Sequence, residues 1–385
     1  MTLYLHNAAT TVPGRAALKR MNSVLEDAWG NASSIHGVGR RARRAVEQAR
    51  DEVAGAINAD PKEIVFTSGA TLSFVAARNL LGGTAQAMPG KALLTSRVEH
   101  NAVLGAAQAV QAGGAPVRWL EPDDSGEISL AAVESALAGD VGLVALMLVN
   151  NETGIRTRIR EAAELAHRAG ALFFCDAVQG FGYEQLDVRE LGVDALALSA
   201  HKAYGPKGVG VLWLREGLAL EPVIRGGEQE RGLRPGTHDT VSIAGMGAAA
   251  AWAADHAPRH GSEIGELRDR FEELVAGFDG VTINGRSAPR GPKHSSVTVA
   301  DVDGEALLMS LDAAGVCASS GSACSAGSTQ ASHVLTAMGL SPREAKATVR
   351  FSFGAGLDTG MVENAARIFA ECIERCRAFA APATD

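Results

Sequence analysis

Between residues 63 and 214 the chain repeats one rhythm: a short, mostly apolar run, a polar turn, then a segment whose apolar positions recur at helical spacing. The runs read EIVFTS (63–68), KALLTS (91–96), APVRWL (115–120), GLVALMLV (142–149), ALFFCD (171–176), DALALS (194–199) and VGVLWL (209–214). Helices are expected from about residue 70, over 101–112, near 129–138 and near 160–169. Seven runs that are apolar almost throughout, rather than alternating, predict strands buried on both faces. The fold class is therefore α/β, with a mostly parallel seven-stranded sheet between helical layers. Ahead of this part, residues 1–15 read as an extended arm ending at Pro13-Gly14, and a helix follows to about residue 29. The small, polar loop Gly30 to Gly37 then leads into an amphipathic helix over 40–57.

After Gly226-Gly227 the rhythm changes. Helical patterns dominate from 241 to 278, followed by HSSVTV (294–299), a helix over 304–314, the Gly/Ser/Ala-rich segment 318–329, ATVRFSFG (347–354) and a long C-terminal helix. This α+β order predicts an arm over 1–15, a large domain over 16–257 and a smaller domain over 258–385, with the arm packed on the smaller one.

Composition narrows the function classes. A net charge of −8 and a pI near 5.7 argue against a general nucleic-acid binder. The one dense basic run, Arg40-Arg41-Ala42-Arg43-Arg44, continues into the pattern Val46, Ala49, Val53, Ile57 and reads as the solvated face of a helix. No stretch approaches 18 apolar residues, and the first residues lack a charged segment followed by an apolar one, so a cytoplasmic protein without a membrane partner is expected. Cysteines at 175, 317, 324, 372 and 376 are too scattered for a disulfide framework, and reduced thiols are expected. Cys175 and Cys317 sit in apolar strands, and Cys372 and Cys376, four apart on a helix, suit packing better than metal binding.

Ligands of open α/β sheets bind beyond the carboxyl ends of the strands. Polar residues gather at five such ends: Ser68-Gly69-Ala70-Thr71, Glu99-His100-Asn101, Asn150-Asn151-Glu152-Thr153, Asp176 to Gln179, and Ser199 with His201 and Lys202. A small-residue turn at a helix start suits phosphate. A lysine just past a buried strand can lose its charge by desolvation and become nucleophilic, which makes Lys202 the candidate reactive amine. Lys207, between Pro206 and Gly208, is expected on the turn in solvent. Lysine, carboxylate, phosphate cradle and polar ring partners together suggest pyridoxal 5′-phosphate, with Asp176 facing the pyridinium nitrogen. Neither G-x-G-x-x-G after a strand nor a P-loop is present to support a nicotinamide or nucleotide reading.

The motifs AATT (8–11), GNASS (30–34), EIVFTSGAT (63–71), EHNAV (99–103), NNETG (150–154), DAVQ (176–179), SAHKAYGPKGVG (199–210), RPGT (234–237), SSGSAC (319–324) and VRFSFG (349–354) follow one another along nearly the whole chain. In this order they resemble the class V pyridoxal-phosphate enzymes. Within that class they resemble the cysteine desulfurases with a long mobile active-site loop, here about 318–332. The resemblance implies the type I transferase fold. It makes Lys202 the Schiff-base lysine, Asp176 the pyridinium partner and His100 the ring-stacking proton shuttle. Asn151 and Gln179 would address the ring substituents and phenolic oxygen. Ala70, Thr71, Ser199 and His201 would hold the phosphate, joined by Thr237 of a neighbouring subunit, so a homodimer is implied. Arg350, with Asn151, would bind the substrate carboxylate.

Cys324 would be the nucleophile, and its setting among small residues that cannot pack a core supports an exposed, reactive thiol. L-cysteine would lose its Cα proton and give its sulfur to Cys324. The products would be alanine and a persulfide, which passes to an acceptor such as an iron–sulfur scaffold, a sulfur carrier or a tRNA-thiolation enzyme. Two places depart from the family pattern: His6 stands where Asp is usual, and Leu72, Phe74 and Val75 stand where polar residues are usual. Drift with compensating packing, specialisation toward one acceptor or metabolite, and loss of activity on cysteine each account for these changes. A lyase or aminotransferase on the same scaffold, or a catalytically silent sulfur relay, are the alternatives.

Overall fold

The computed structural model describes residues 2–77, 91–321 and 330–380. After strand β1 (Leu3–Tyr4), helices α1 (Arg15–Asp27) and α2 (Gly37–Ala56) lead into the repeating part of the chain. There follow β2 (Ile64–Thr67), α3 (Ala70–Ala77), β3 (Ala92–Ser96), α4 (Asn101–Ala112), β4 (Val117–Leu120), α5 (Leu130–Ala136) and β5 (Val141–Met147). The run closes with α6 (Ile159–Arg168), β6 (Leu172–Asp176), α7 (Val188–Leu191), β7 (Ala195–Ser199) and β8 (Gly210–Leu214). The long α8 (Thr240–Val275), with Pro258 inside it, precedes β9 (Val281–Ile283), β10 (His294–Val299), α9 (Gly304–Ala313), β11 (Val316–Cys317) and β12 (Ser319–Ser320). The described chain ends with α10 (His333–Ala337), α11 (Pro342–Lys346), β13 (Thr348–Ser352) and α12 (Thr359–Ala380).

The seven apolar runs form one sheet in the order β2-β8-β7-β6-β5-β3-β4. Its neighbours are parallel except where β8 runs against β2 and β7. Every residue of β5, β7 and β8 is buried, which is why these runs do not alternate. Edge strand β4 is only half covered. A second, antiparallel sheet runs β12-β13-β10-β9, and β1 pairs in parallel with β11. Strand β9 is short and partly exposed, so it carried too little pattern to be foreseen.

Helix α2 begins three residues before the expected position 40, because His36 caps it by accepting the Gly39 N–H on Nδ1 at 3.3 Å. Gly39 is needed there: a Cβ would lie 2.6 Å from the Ser34 carbonyl oxygen. The four arginines at 40, 41, 43 and 44 are exposed while Ala42 is buried, as a solvated helix face requires.

Two cores result. One surrounds the large sheet, and the other is built from Phe271, Phe351, Phe353 and Phe369 with Leu3 and Leu5 of the arm. Cys175 and Cys372 are wholly buried, whereas Cys317 is only half-buried, less than its apolar strand suggested. Among the described residues no helix is long and apolar enough to cross a membrane.

Candidate active site

The carboxyl ends of β5, β6 and β7, the first turns of α3 and α4, and the N-terminal arm enclose a cavity of about 550 Å³. Ala70, Thr71, His100, Asn151, Asp176, Gln179, Ser199, His201, Lys202 and Arg350 all line it, so residues spread over 280 positions converge on one space. Thr237 does not line it. It is exposed between α8 and the 3-10 turn Gln229–Gly232. Cys324 lies outside the described residues.

Strand β7 ends in a 3-10 turn, Ala200–Lys202, that delivers the lysine. Lys202 Nζ donates to the carbonyls of Ala8 at 2.6 Å and Ala9 at 2.7 Å, so the arm seats the amine. Lys207 is exposed as expected, yet it also reaches the cavity rim. Asp176 closes β6 and accepts the Val178 N–H at 3.0 Å. Burial raises its pKa, while His100, when protonated, and the charge of Lys202 oppose the rise.

His100 is the N-cap of α4, and its Nδ1 accepts the Ala102 N–H at 3.1 Å. The neutral ring therefore carries its proton on Nε2. Gln179 Nε2 donates to the Ala8 carbonyl at 3.1 Å. Gln179 Oε1 and Asn151 Oδ1 are buried and, among the described residues, accept no hydrogen bond. Buried acceptors of this kind are costly unless a ligand donor meets them.

The candidate anion-binding wall is a turn and a helix start. Gly69, at φ +153°, precedes α3, whose first N–H groups have no partner within the helix. The backbone of β8 presses against this turn, and a Cβ on Gly210 would lie 2.7 Å from Gly69 Cα. Ser199 is buried at the end of β7, and His201 Nδ1 lies 3.3 Å from Thr10 Oγ1. Burial, then Lys202, holds the His201 pKa down to about 4, so this imidazole is neutral at pH 7. On the opposite wall Arg350, 1% exposed, donates from Nη1 to the Asn151 carbonyl at 2.7 Å, tying β13 to the loop after β5.

These donors fit pyridoxal phosphate. A seated primary amine, a carboxylate at a strand end, a helix N-terminus and two uncommitted buried acceptors match its aldehyde, ring nitrogen, phosphate and ring substituents.

The departures at His6, Leu72 and Phe74 fall among the described residues, and the Val75 side chain lies outside them. His6 pairs with Ser352 in an isolated bridge, and its Nδ1 is buried and accepts no hydrogen bond among the described residues. Burial, together with Arg350 and Lys202, lowers its pKa to about 4, so it adds no charge beside the two cations. Phe74 is 2% exposed and meets Phe174 of β6 edge-on at 4.7 Å, which makes it a core residue behind the strand that carries Asp176. Leu72 lines the cavity.

Three contributions escaped sequence reasoning. The arm supplies backbone carbonyls, which no side-chain pattern announces. His333 lines the cavity with its Nε2 2.9 Å from the Glu99 carbonyl; its only signal was its place just after the small-residue segment. Glu99 is the third. It is 1% exposed, and its Oε1 accepts from Ser96 Oγ at 2.7 Å and Met147 N–H at 3.2 Å, while Oε2 has no partner among the described residues. Burial raises its pKa to about 8, with a smaller push from Asp176, so Glu99 is a neutral acid at pH 7.

The sequence model of the class-V aminotransferases matches residues 3–364. The chain belongs to the class-V aminotransferase family. It is 41% identical over 382 residues to a cysteine desulfurase IscS of Pseudomonas putida, covering 98% of this chain and 94% of that one. Among solved class-V-like structures, a NifS-like protein superposes with a TM-score of 0.90 at 29% identity, covering 97% of this chain and all 100% of that one. SspA in complex with cysteine superposes with a TM-score of 0.81 at 34% identity, covering 92% and 99%.

Proposed function

We propose that this chain is a pyridoxal-phosphate-dependent cysteine desulfurase that converts L-cysteine to L-alanine and takes the sulfur as a persulfide on Cys324. One observation carries the reading: Lys202, Asp176, His100 and Arg350 meet around a single cavity that also holds the buried acceptors Asn151 Oδ1 and Gln179 Oε1. The names of the similar proteins point the same way. Bound there, pyridoxal phosphate supplies an electron sink for the pair left when the substrate loses its Cα proton.

The chain's own residues do the rest. Lys202 holds the cofactor aldehyde and moves the Cα proton. Asp176 would keep the ring nitrogen protonated, the pyridinium charge favouring its ionised form. Ala70, Thr71, Ser199 and His201 hold the phosphate. His100, with its proton on Nε2, donates toward the substrate and shuttles protons. Arg350 orients the substrate carboxylate with a two-pronged guanidinium, assisted by Asn151. Cys324, in its run of small residues, attacks the substrate sulfur as a thiolate: a new S–S bond forms and the substrate's C–S bond breaks, its electron pair ending as a C–H bond of alanine.

A homodimer belongs to this reading. Leu18 and Leu25 of α1 and Trp29 beyond it are 45%, 57% and 66% exposed, an apolar face that a second copy would cover. Thr237, outside its own cavity, would then reach the neighbouring one. Pro258, inside α8, marks the division between large and small domains, with the arm on the small one. The persulfide passes to a protein acceptor in the cytoplasm, of the scaffold, carrier or tRNA-thiolation kind.

The test is turnover of L-cysteine by the cofactor-loaded protein, with alanine, pyruvate and sulfide quantified with and without a thiol reductant. Alanine in step with sulfide, lost in Cys324→Ala while cofactor absorbance persists, is the expected result. Pyruvate, or alanine formation that survives the mutation, would replace this reading with lyase or other class-V chemistry.

A further inference from the structure

Two residues beyond Lys202 the backbone does something unusual. Tyr204 has φ +63°, a left-handed conformation that costs an aromatic residue free energy and persists only where the surroundings over-determine it. Its main chain is held from the N-terminal side of the molecule: its N–H donates to Thr11 Oγ1 at 2.7 Å and its carbonyl accepts the Gly14 N–H at 2.8 Å. Its hydroxyl is held from the other side, where three groups converge. Tyr183 Oη lies at 2.9 Å, His260 Nε2 at 2.8 Å, and the Ala355 N–H donates at 3.0 Å.

A phenol has one proton and two lone pairs, so three partners use its full capacity. The ring is 7% exposed and joins the core of the second sheet rather than that of the strand it follows. His260 and Trp252 both come from α8 and meet the Tyr204 ring edge-on at 5.4 and 5.3 Å. Lys293 Nζ lies 4.0 Å from the centre of the Tyr183 ring. The left-handed turn after the lysine is thus braced at once by the arm, by α8 and by the loop after β13.

We propose that Tyr204 is a positioning residue for Lys202: its hydroxyl, shared with Tyr183, His260 and the Ala355 N–H, locks the turn that aims the amine at its seat on Ala8 and Ala9. The role rests on the assignment of Lys202 above. It explains why a bulky aromatic, rather than glycine, occupies a left-handed position: glycine would relieve the strain but would leave the turn without its anchor in the second core.

The experiment uses the full-length Tyr204→Phe variant, which keeps the ring and removes only the hydroxyl. The first readout is the rate of Lys202 acetylation in the cofactor-free protein, followed by mass spectrometry. The second is the visible absorbance and circular dichroism of the cofactor-loaded protein. We expect Lys202 acetylation to rise, the cofactor's ellipticity to fall, and kcat on L-cysteine to drop roughly tenfold with little change in KM, as a misaimed group should. If Tyr204→Phe does not fold, His260→Ala serves, with His260→Gln as its rescue because an amide restores a hydrogen-bonding group near Nε2. Unchanged acetylation and ellipticity in a folded variant, whatever its thermal midpoint, would reduce Tyr204 to a core residue. The acetylation readout needs no turnover, so a wild-type protein inactive on cysteine would count against the desulfurase reading and leave this inference standing.

Discussion

The two ends of the large sheet treat carboxylates in opposite ways. At one end, Asp194, just before β7, accepts from Phe173 N–H at 2.7 Å, from Arg215 at 2.9 and 2.7 Å, and lies 2.8 Å from His167 Nε2. Glu63, just before β2, accepts from Asp60 N–H, Glu216 N–H, Arg189 and the Trp213 indole. Burial pushes the Glu63 carboxyl up, but these four donors outweigh it and leave its pKa below the usual range. At the other end, Asp176 accepts one hydrogen bond among the described residues and Glu99 keeps an oxygen with none. These acids therefore have different work. Where every lone pair is used, the group holds the fold. Where capacity is left open at Asp176, which lines the cavity, a ligand can use it; Glu99 does not line the cavity.

That contrast can be broken by mutation. Asp176→Asn should lower alanine formation by roughly a hundred- to a thousandfold while leaving the chemical-denaturation midpoint nearly unchanged, because Asp176 is only half-buried and accepts one hydrogen bond among the described residues. Asp194→Asn should do the reverse. It should cost about 2–3 kcal/mol of stability through lost charge-assisted bonds, with per-molecule activity of the folded fraction retained. Loss of activity without loss of stability in Asp194→Asn would erase the distinction between the ends.

The pH dependence of stability sharpens the comparison with a smaller effect. Glu230 is bonded by Arg50 at 2.8 and 2.9 Å and by the Phe66 N–H at 2.7 Å. Burial raises its pKa, but these bonds and His238 outweigh it and bring the value to about 2. A depressed carboxyl stabilises the fold above its unfolded pKa near 4.5, and that contribution fades as pH falls toward 2. Glu99, raised to about 8, has the opposite sign: its contribution is whole below 4.5 and fades as pH rises toward 8. Denaturation of the cofactor-free protein across this range should show Glu230→Gln flattening the acid limb and Glu99→Gln flattening the limb above pH 5. Each slope is at most about 1.4 kcal/mol per pH unit. A Glu99→Gln profile parallel to wild type would mean that Glu99 is ionised in the fold.

Much of this was legible in advance. All seven strands of the large sheet fall on the apolar runs, because a strand buried on both faces must be apolar throughout, whatever its neighbours. The polar clusters after those runs do gather at one cavity, since parallel strands bring their carboxyl ends to one edge. Phe74 looked like a lost polar group and is a core ring, a difference decided by Phe174 a hundred residues away.

What the sequence determined by itself was therefore local: where strands and helices run, that a lysine, a carboxylate and a small-residue turn at a helix start follow buried strands, and that a small-residue segment carries Cys324. Only the tertiary structure decided what those groups meet. The carbonyls that seat Lys202 come from Ala8 and Ala9, more than 190 residues earlier. Glu99 is neutral because of what surrounds it, and Tyr204 holds a left-handed turn because α8 and the second core grip its hydroxyl. Periodicity and turn chemistry act through neighbours in the chain. Desolvation and hydrogen-bond satisfaction depend on whichever remote segments pack close, and no local pattern encodes them.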